Sequence, residues 1–150
     1  FFDLSAEEIN SGLSNYQPKN NRSQLTKTEN NAVICDFYNA NPSSMSAALD
    51  NISVLTADKK VAILGDMFEL GEYAEAEHKK LGQQVAASNF DTVVLYGQNM
   101  QAALAYLPNA FYFTDKFSLH NWLIDKQIKD HYILIKGSRG VGLESVLTVL

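Results

Sequence analysis

The chain is poor in the features that mark several common classes of protein. Its 150 residues include one cysteine, Cys35, so no disulfide can form within the chain. Asp and Glu total 17 against 12 Lys and Arg, and the net charge of −5 argues against binding nucleic acid through a general basic field. No apolar run has the ~20 residues that a membrane-spanning helix needs, and no signal peptide is visible. The mixed composition predicts a soluble globular domain, and a lone cysteine in a predicted buried strand fits a reducing cytoplasm.

Two common nucleotide-binding patterns are also missing. No G-x-x-x-x-G-K-[ST] loop occurs, so we do not expect this chain to hold a nucleotide triphosphate by that device. Gly137, Gly140 and Gly142 form a G-x-x-G-x-G run, but its spacing differs from that of the dinucleotide-binding fingerprint.

Apolar strands alternate with amphipathic helices along the chain. We predict strands over 24–29, 32–37, 60–65, 91–96, 110–113 and 131–136, and helices over 42–56, 74–88, 98–106, 115–126 and 142–150. Strands separated by helices form βαβ units, which predicts an α/β, Rossmann-like domain of three layers. Its sheet has about six mostly parallel strands and helices on both faces. The first strand is an antiparallel edge strand, because Asn30-Asn31 allows a tight hairpin.

Polar residues concentrate after four of these strands, in residues 36–44, 65–71, 96–99 and 136–140. In an open parallel sheet, ligands bind at the carboxyl ends of the strands. The loops at the other end of the sheet are much plainer in composition. We therefore predict one binding site where the four polar loops converge.

The first polar loop lies within residues 36–49, D-F-Y-N-A-N-P-S-S-M-S-A-A-L. Asn41 is placed to cap the next helix, with Pro42 at its first position. A helix N-terminus of this kind suits an anion. Asp36, Asn39 and Ser44 crowd the same turn, which is more polar than capping alone requires.

Two further motifs follow later strands. In K-G-S-R-G, residues 136–140, Lys136 and Arg139 add positive charge to a glycine-flanked turn that suits a carboxylate or a phosphate, or they are two solvated cations. In G-D-M-F-E-L-G, residues 65–71, Asp66 and Glu69 either contact a substrate amine or a neighbouring domain, or cap the helix over 74–88.

Two other groups of residues have weaker signals. No spacing pattern supports a metal site built from Asp36, Asp66 and Glu69, and we predict no metal ligand in this chain. His78 lies on the apolar stripe of the helix over 74–88, which favours a structural role over a catalytic one.

The three motifs in this order resemble the C-terminal domain of the Mur ligases, and the resemblance covers residues 18–150. Residues 1–17 then correspond to the end of a preceding domain and a linker. The chain begins with Phe1 and not with Met, so we expect a fragment of a longer protein. Within the family the chain most resembles the branch that adds D-alanyl-D-alanine to UDP-N-acetylmuramoyl-tripeptide in peptidoglycan precursor synthesis.

The resemblance implies a division of labour among three domains in a bacterial cytoplasm. Such ligases use ATP to convert a carboxylate into an acyl phosphate, which the incoming amine attacks. The central domain carries the triphosphate loop and most of the Mg²⁺ ligands, and the C-terminal domain closes over ATP and brings the amine substrate. The N-terminal and central domains are therefore expected partners, and this chain alone is expected to be inactive.

The resemblance also assigns residues to ligands. The residues assigned to ATP are Arg22, Asp36, Tyr38, Asn39 and Asn41. The residues assigned to the substrate are Asp66, Glu69, Lys136, Ser138 and Arg139. Arg22 lies in the linker, where Asn21 replaces the glycine that the family usually has. No residue of this domain is assigned a catalytic role.

Two alternatives stay open at this point. One is another ATP-dependent amide ligase of the folylpolyglutamate type. The Y-N-A-N and K-G-S-R motifs argue against this alternative. The other is a non-catalytic α/β binding module. A triphosphate loop encoded upstream would favour the ligase.

Overall fold

A six-stranded sheet forms the middle layer of the computed structural model, which describes residues 24–57 and 59–150. The strands are β1 Gln24–Lys27, β2 Ala32–Asp36, β3 Lys60–Gly65, β4 Thr92–Tyr96, β5 Phe111–Phe113 and β6 Tyr132–Lys136. Their order across the sheet is β1-β2-β6-β3-β4-β5. β1 pairs with β2 in antiparallel fashion, and every other pair is parallel. The predicted mostly parallel sheet with one antiparallel edge strand is confirmed.

The helical segments follow the predicted order, but not all of them are α-helices. The α-helices are α1 Pro42–Ser53, α2 Ala74–Ala87 and α3 Lys116–Lys126, and 3₁₀ turns span Gly71–Tyr73, Asn99–Tyr106, Arg139–Val141 and Leu143–Val149. The helices predicted over 98–106 and 142–150 are thus 3₁₀ segments. Apolar residues three and four apart, such as Met100, Ala103 and Leu107, suit either winding over so short a segment.

Helices cover both faces of the sheet, as predicted. Side chains alternate along each strand, so Ala62 and Leu64 of β3 face one layer while Val61 and Ile63 face the other. The first layer holds α1, α2 and the segment 99–106, and the second holds α3 and the turns over 139–149. β3 is buried along its whole length, as a central parallel strand must be.

Cys35 lies in the second of these layers and is buried, as predicted for a strand residue. Burial raises the pKa of its thiol to about 11, and a hydrogen bond with Thr26 only partly offsets this effect. Among the described residues no helix is both long and apolar enough to cross a membrane.

The side chain of Asn31 ties together the amino ends of the strands. Its amide nitrogen donates to the carbonyl oxygens of Ile128 and Leu150, at 2.8 and 3.1 Å. Its amide oxygen accepts from the backbone of His131 at 3.1 Å. Asn31 is buried, whereas its neighbour Asn30 is exposed. The predicted Asn30-Asn31 turn is therefore also a junction of three chain segments.

We expect Asn31→Ala to lower the free energy of unfolding by about 1–2 kcal/mol, because half-buried backbone groups lose their hydrogen bonds to the Asn31 side chain. Asn30→Ala is the matched control and should change it by less than about 0.5 kcal/mol. Equilibrium unfolding in urea measures both variants. Equal effects of the two substitutions would contradict the role of Asn31.

Candidate functional site

The parallel pairing brings the three motifs to one edge of the sheet. Asp36, the last residue of β2, pairs with Lys136, the last residue of β6. Gly65 ends β3 beside Tyr96 at the end of β4. The loops that follow these strands consequently leave the sheet side by side, which is the predicted convergence of the polar loops.

Lys136 and Asp36 form a buried ion pair at this edge. The Lys136 side chain has 0% exposure, and its Nζ lies 2.6 Å from Asp36 Oδ2. The same Nζ donates to the carbonyl oxygen of Asn39 at 3.0 Å. The family resemblance implies that Asp36 contacts ATP and that Lys136 contacts the substrate, and in the structure the two side chains bond to each other. Their direct effect is to fix the turn that follows β2.

Asn41 caps α1, as predicted from the sequence. Its Oδ1 accepts from the Ser44 amide and the Ser43 hydroxyl, both at 2.8 Å. The Ser44 hydroxyl accepts in return from the Asn41 amide at 3.1 Å, which completes a capping box. Tyr38 and Asn39, three and two residues earlier, are exposed.

Ser138 connects its own motif, K-G-S-R-G, to the loop that follows β2 and to the loop that follows β3. Its hydroxyl accepts from the Phe68 amide at 2.8 Å and donates to the Ala40 carbonyl oxygen at 3.4 Å. Its amide donates to the Asp66 carbonyl oxygen at 3.0 Å. A single buried serine thus holds all three loops in contact.

Asp66 caps a helical segment, but not the one considered from the sequence. Its carboxylate accepts from the amides of Asn99 and Met100, at 3.3 and 2.9 Å, at the start of the segment 99–106. The reason is that Asp66 follows β3, whose neighbour is β4, so it reaches the turn after β4 and not α2. Gly97, with φ of +115°, leaves room for this carboxylate because a Cβ there would overlap it.

A cleft of about 360 Å³ opens where the loops meet. Its lining residues are Tyr38, Asn39, Phe68, Glu69, Ser138, Arg139 and Gly140. Glu69 and Arg139 are exposed and place one negative and one positive charge in the same cleft. Gly140 allows the third loop to approach Phe68, since a Cβ would lie only 3.1 Å from its ring.

Of the residues that the resemblance assigns to ligands, five line this cleft: Tyr38, Asn39, Glu69, Ser138 and Arg139. Asp36, Asn41, Asp66 and Lys136 lie behind it and bond within the chain. Arg22 lies outside the described residues. The contribution of Phe68 to the cleft wall was not predicted, because a phenylalanine in a loop has no sequence signal that separates lining from packing.

Two further observations concern the charge state of Tyr96 at this edge and metal binding by the described residues. Burial raises the pKa of the Tyr96 phenol, and the nearby carboxylates of Asp115 and Asp66 raise it further. Tyr96 is therefore a neutral hydroxyl near pH 7. In residues 24–57 and 59–150, no group of three His, Cys, Asp or Glu side chains could hold a metal ion.

Comparison with known proteins identifies the family. Residues 21–139 match the family described as "Mur ligase, glutamate ligase domain". The chain belongs to this family of Mur ligase C-terminal domains. It is 33% identical, over 98% of its length, to the UDP-N-acetylmuramoyl-tripeptide–D-alanyl-D-alanine ligase of Bacillus subtilis, and 35% identical, over 84%, to that of Rickettsia prowazekii. It covers 34% and 29% of those proteins, so it spans about a third of the length of such relatives.

Solved structures agree with the family assignment. A crystal structure of MurF from Acinetobacter baumannii superposes with a TM-score of 0.78 and 31% identity, over 97% of this chain and 33% of that one. A bifunctional folylpolyglutamate synthase/dihydrofolate synthase from Yersinia pestis superposes with a TM-score of 0.58 at 16% identity, over 99% of this chain and 35% of that one. The second likeness shows a shared fold alone.

We expect Asp36→Ala to destabilise the fold strongly, by about 3–5 kcal/mol, because it leaves a buried ammonium group without its carboxylate. Adding Lys136→Met removes that unpaired charge and should restore most of the loss. Urea unfolding of the single and double variants measures the effect, with the exposed Asp125→Ala as a control. A double variant as unstable as Asp36→Ala would mean that the pair itself is not the cause.

Proposed function

We propose that this chain is the C-terminal domain of an ATP-dependent ligase that joins D-alanyl-D-alanine to UDP-N-acetylmuramoyl-tripeptide. The two relatives just described are named UDP-N-acetylmuramoyl-tripeptide–D-alanyl-D-alanine ligase, and they are 33–35% identical to this chain. In this proposal the preceding two domains belong to the same protein, and the reaction takes place in the bacterial cytoplasm as a step of peptidoglycan precursor synthesis.

The observation that carries the proposal is the pair of opposite charges in the cleft. D-Alanyl-D-alanine is a zwitterion with an ammonium group at one end and a carboxylate at the other. Arg139 offers a forked donor for the carboxylate, and Glu69 offers an acceptor for the ammonium group. The two alanine methyl groups are small and apolar, which suits the aromatic side of the cleft that Phe68 forms.

The residues behind the cleft support it without contact to the ligand. The ion pair of Asp36 and Lys136 fixes the turn that presents Tyr38 and Asn39. Ser138 fixes the turn that presents Arg139. Amide formation needs the amine held at the activated carboxylate, and rigid walls supply that orientation at a low entropic cost.

ATP enters this proposal as the group that activates the tripeptide carboxylate as an acyl phosphate. Tyr38, 56% exposed, and Asn39 offer an aromatic face and an amide at the rim of the cleft. We infer that these two contact the nucleotide, that Asp36 and Asn41 hold their turn, and that Arg22 of the linker completes the contact. Mg²⁺ is proposed to bind mainly through the central domain.

The alternatives have less support. A ligase of the folylpolyglutamate type rests on a likeness of fold at 16% identity. A binding module without catalysis would leave unexplained why the chain is 33% identical to a ligase over 98% of its length.

We expect Arg139→Ala in the full-length ligase to raise KM for D-alanyl-D-alanine roughly 10- to 100-fold. A charge-assisted hydrogen bond contributes about 1.5–3 kcal/mol, and 1.4 kcal/mol is a factor of ten. Arg139→Lys should recover part of the loss, because a single ammonium cannot bind a carboxylate in bidentate fashion. KM for ATP should change much less, and the exposed Lys129→Ala is the control.

A second substrate sharpens this test. D-Alanyl-D-alaninamide lacks the terminal carboxylate, so Arg139→Ala should leave its KM unchanged. Arg139 would be assigned to domain closure instead by either of two results. One is an equal rise in KM for the dipeptide and for its amide, and the other is an equal rise in KM for ATP and for the dipeptide.

We expect the 150-residue chain alone to release no phosphate above background from ATP in the presence of both peptide substrates. The physical reason is that it has no triphosphate loop to orient the nucleotide. A coupled phosphate assay with the full-length ligase as the positive control measures this. Turnover by the chain alone would disprove the proposed division of labour.

A further inference from the structure

The loop between β3 and the turn at Gly71 is held by hydrogen bonds from three successive backbone amides. Three successive amides of this loop each donate to a different part of the fold. The amides of Asp66, Met67 and Phe68 donate in turn to the Tyr96 carbonyl oxygen, the His78 imidazole and the Ser138 hydroxyl, at 3.2, 3.0 and 2.8 Å. A loop bonded at three consecutive residues has little freedom to move relative to the sheet edge.

His78 is the least exposed of these partners. The residue has 0% exposure in the first turns of α2. Its Nδ1 lies 2.6 Å from the carbonyl oxygen of Ala74, and its Nε2 accepts from the amide of Met67. A carbonyl oxygen can only accept and an amide can only donate, so the imidazole is neutral with its proton on Nδ1.

The residues beside Met67 form part of the cleft. Phe68 and Glu69 both line it, and Glu69 has a left-handed backbone, with φ of 63°. A non-glycine residue keeps such a conformation only when its surroundings impose it. The amide of Met67, two residues before Glu69, donates to His78 Nε2, so the imidazole anchors the backbone that leads into this conformation.

We propose that His78 is a positioning residue, which holds the loop over 65–70 so that Phe68 and Glu69 face the cleft. This inference rests on the proposed function, in which that cleft binds D-alanyl-D-alanine. His78 cannot touch the dipeptide, because its imidazole is buried and both nitrogens are occupied. Its effect on the substrate passes through the backbone of Met67.

The test compares three variants of the full-length ligase. His78→Leu removes the acceptor for the Met67 amide. His78→Gln keeps a side-chain oxygen that can accept from that amide, so it is the rescue variant. Val85→Ala truncates another buried residue of α2, seven residues or roughly 10 Å further along the helix, away from the loop.

Hydrogen exchange of the loop amides and KM for D-alanyl-D-alanine are the two measurements. For His78→Leu we expect exchange at Met67 to accelerate at least 10-fold and KM for the dipeptide to rise about 10-fold, with KM for ATP within a factor of two. His78→Gln should have an exchange rate at Met67 and a KM for the dipeptide closer to those of the unmodified enzyme than His78→Leu has. Val85→Ala should lower the melting temperature and leave the exchange rate at Met67 and KM for the dipeptide unchanged. If His78→Leu does not fold, His78→Ala takes its place, because it also removes the acceptor, and it is compared with His78→Gln and Val85→Ala in the same way.

Three outcomes would overturn the inference. Unchanged exchange at Met67 in His78→Leu would show that the imidazole does not hold the loop. Equal changes in Val85→Ala would show that only general stability matters. Faster exchange with an unchanged dipeptide KM, while Arg139→Ala raises that KM, would show that loop position does not affect binding. If neither His78→Leu nor Arg139→Ala changes the dipeptide KM while exchange accelerates, the hold on the loop is supported and the assignment of the cleft fails.

Discussion

The buried ammonium group of Lys136 is the constraint on which this edge of the sheet depends. A charge without solvent contact is stable only when it meets an opposite charge and further acceptors. Asp36 supplies the charge at 2.6 Å, and the Asn39 carbonyl oxygen supplies the second acceptor at 3.0 Å. Because the three groups belong to β2, β6 and the turn after β2, one nitrogen fixes both the strand ends and the path of the chain toward α1. Ser138, two residues after Lys136, then joins that arrangement to the loop after β3.

The fold could be predicted from the sequence because its signals are local and redundant. β3 matches its predicted bounds at both ends, since a fully buried strand reads as an unbroken apolar run between polar residues. The start of α1 at Pro42 follows from Asn41 and the proline itself. The winding of the segment 99–106 could not be predicted, because apolar spacing does not say whether the backbone bonds span three or four residues.

For the candidate site, the location could be predicted but not the partner of each side chain. Loops that follow parallel strands converge by topology, so the motifs had to meet. Asp36 and Lys136, however, are 100 residues apart in the chain, and nothing in either motif says that the two charges neutralise each other. The same holds for Asp66, whose carboxylate reaches a segment that begins 33 residues later. A polar side chain at a strand end satisfies its hydrogen bonds with whatever the register places beside it, and sequence spacing does not contain that register.

The polar residues of this edge consequently fall into two groups with different physical roles. Asp36, Lys136 and Asp66 are buried and bonded within the chain, so changing them alters stability and the position of the loops. Glu69 and Arg139 are exposed in the cleft, so changing them alters what the cleft can bind at little cost to the fold. In the proposed function, binding in this cleft requires the first group to position the loops and the second to contact the ligand. An Arg or Glu on a mobile loop would lose on binding the backbone conformational entropy that the buried hydrogen bonds of these loops have already removed during folding.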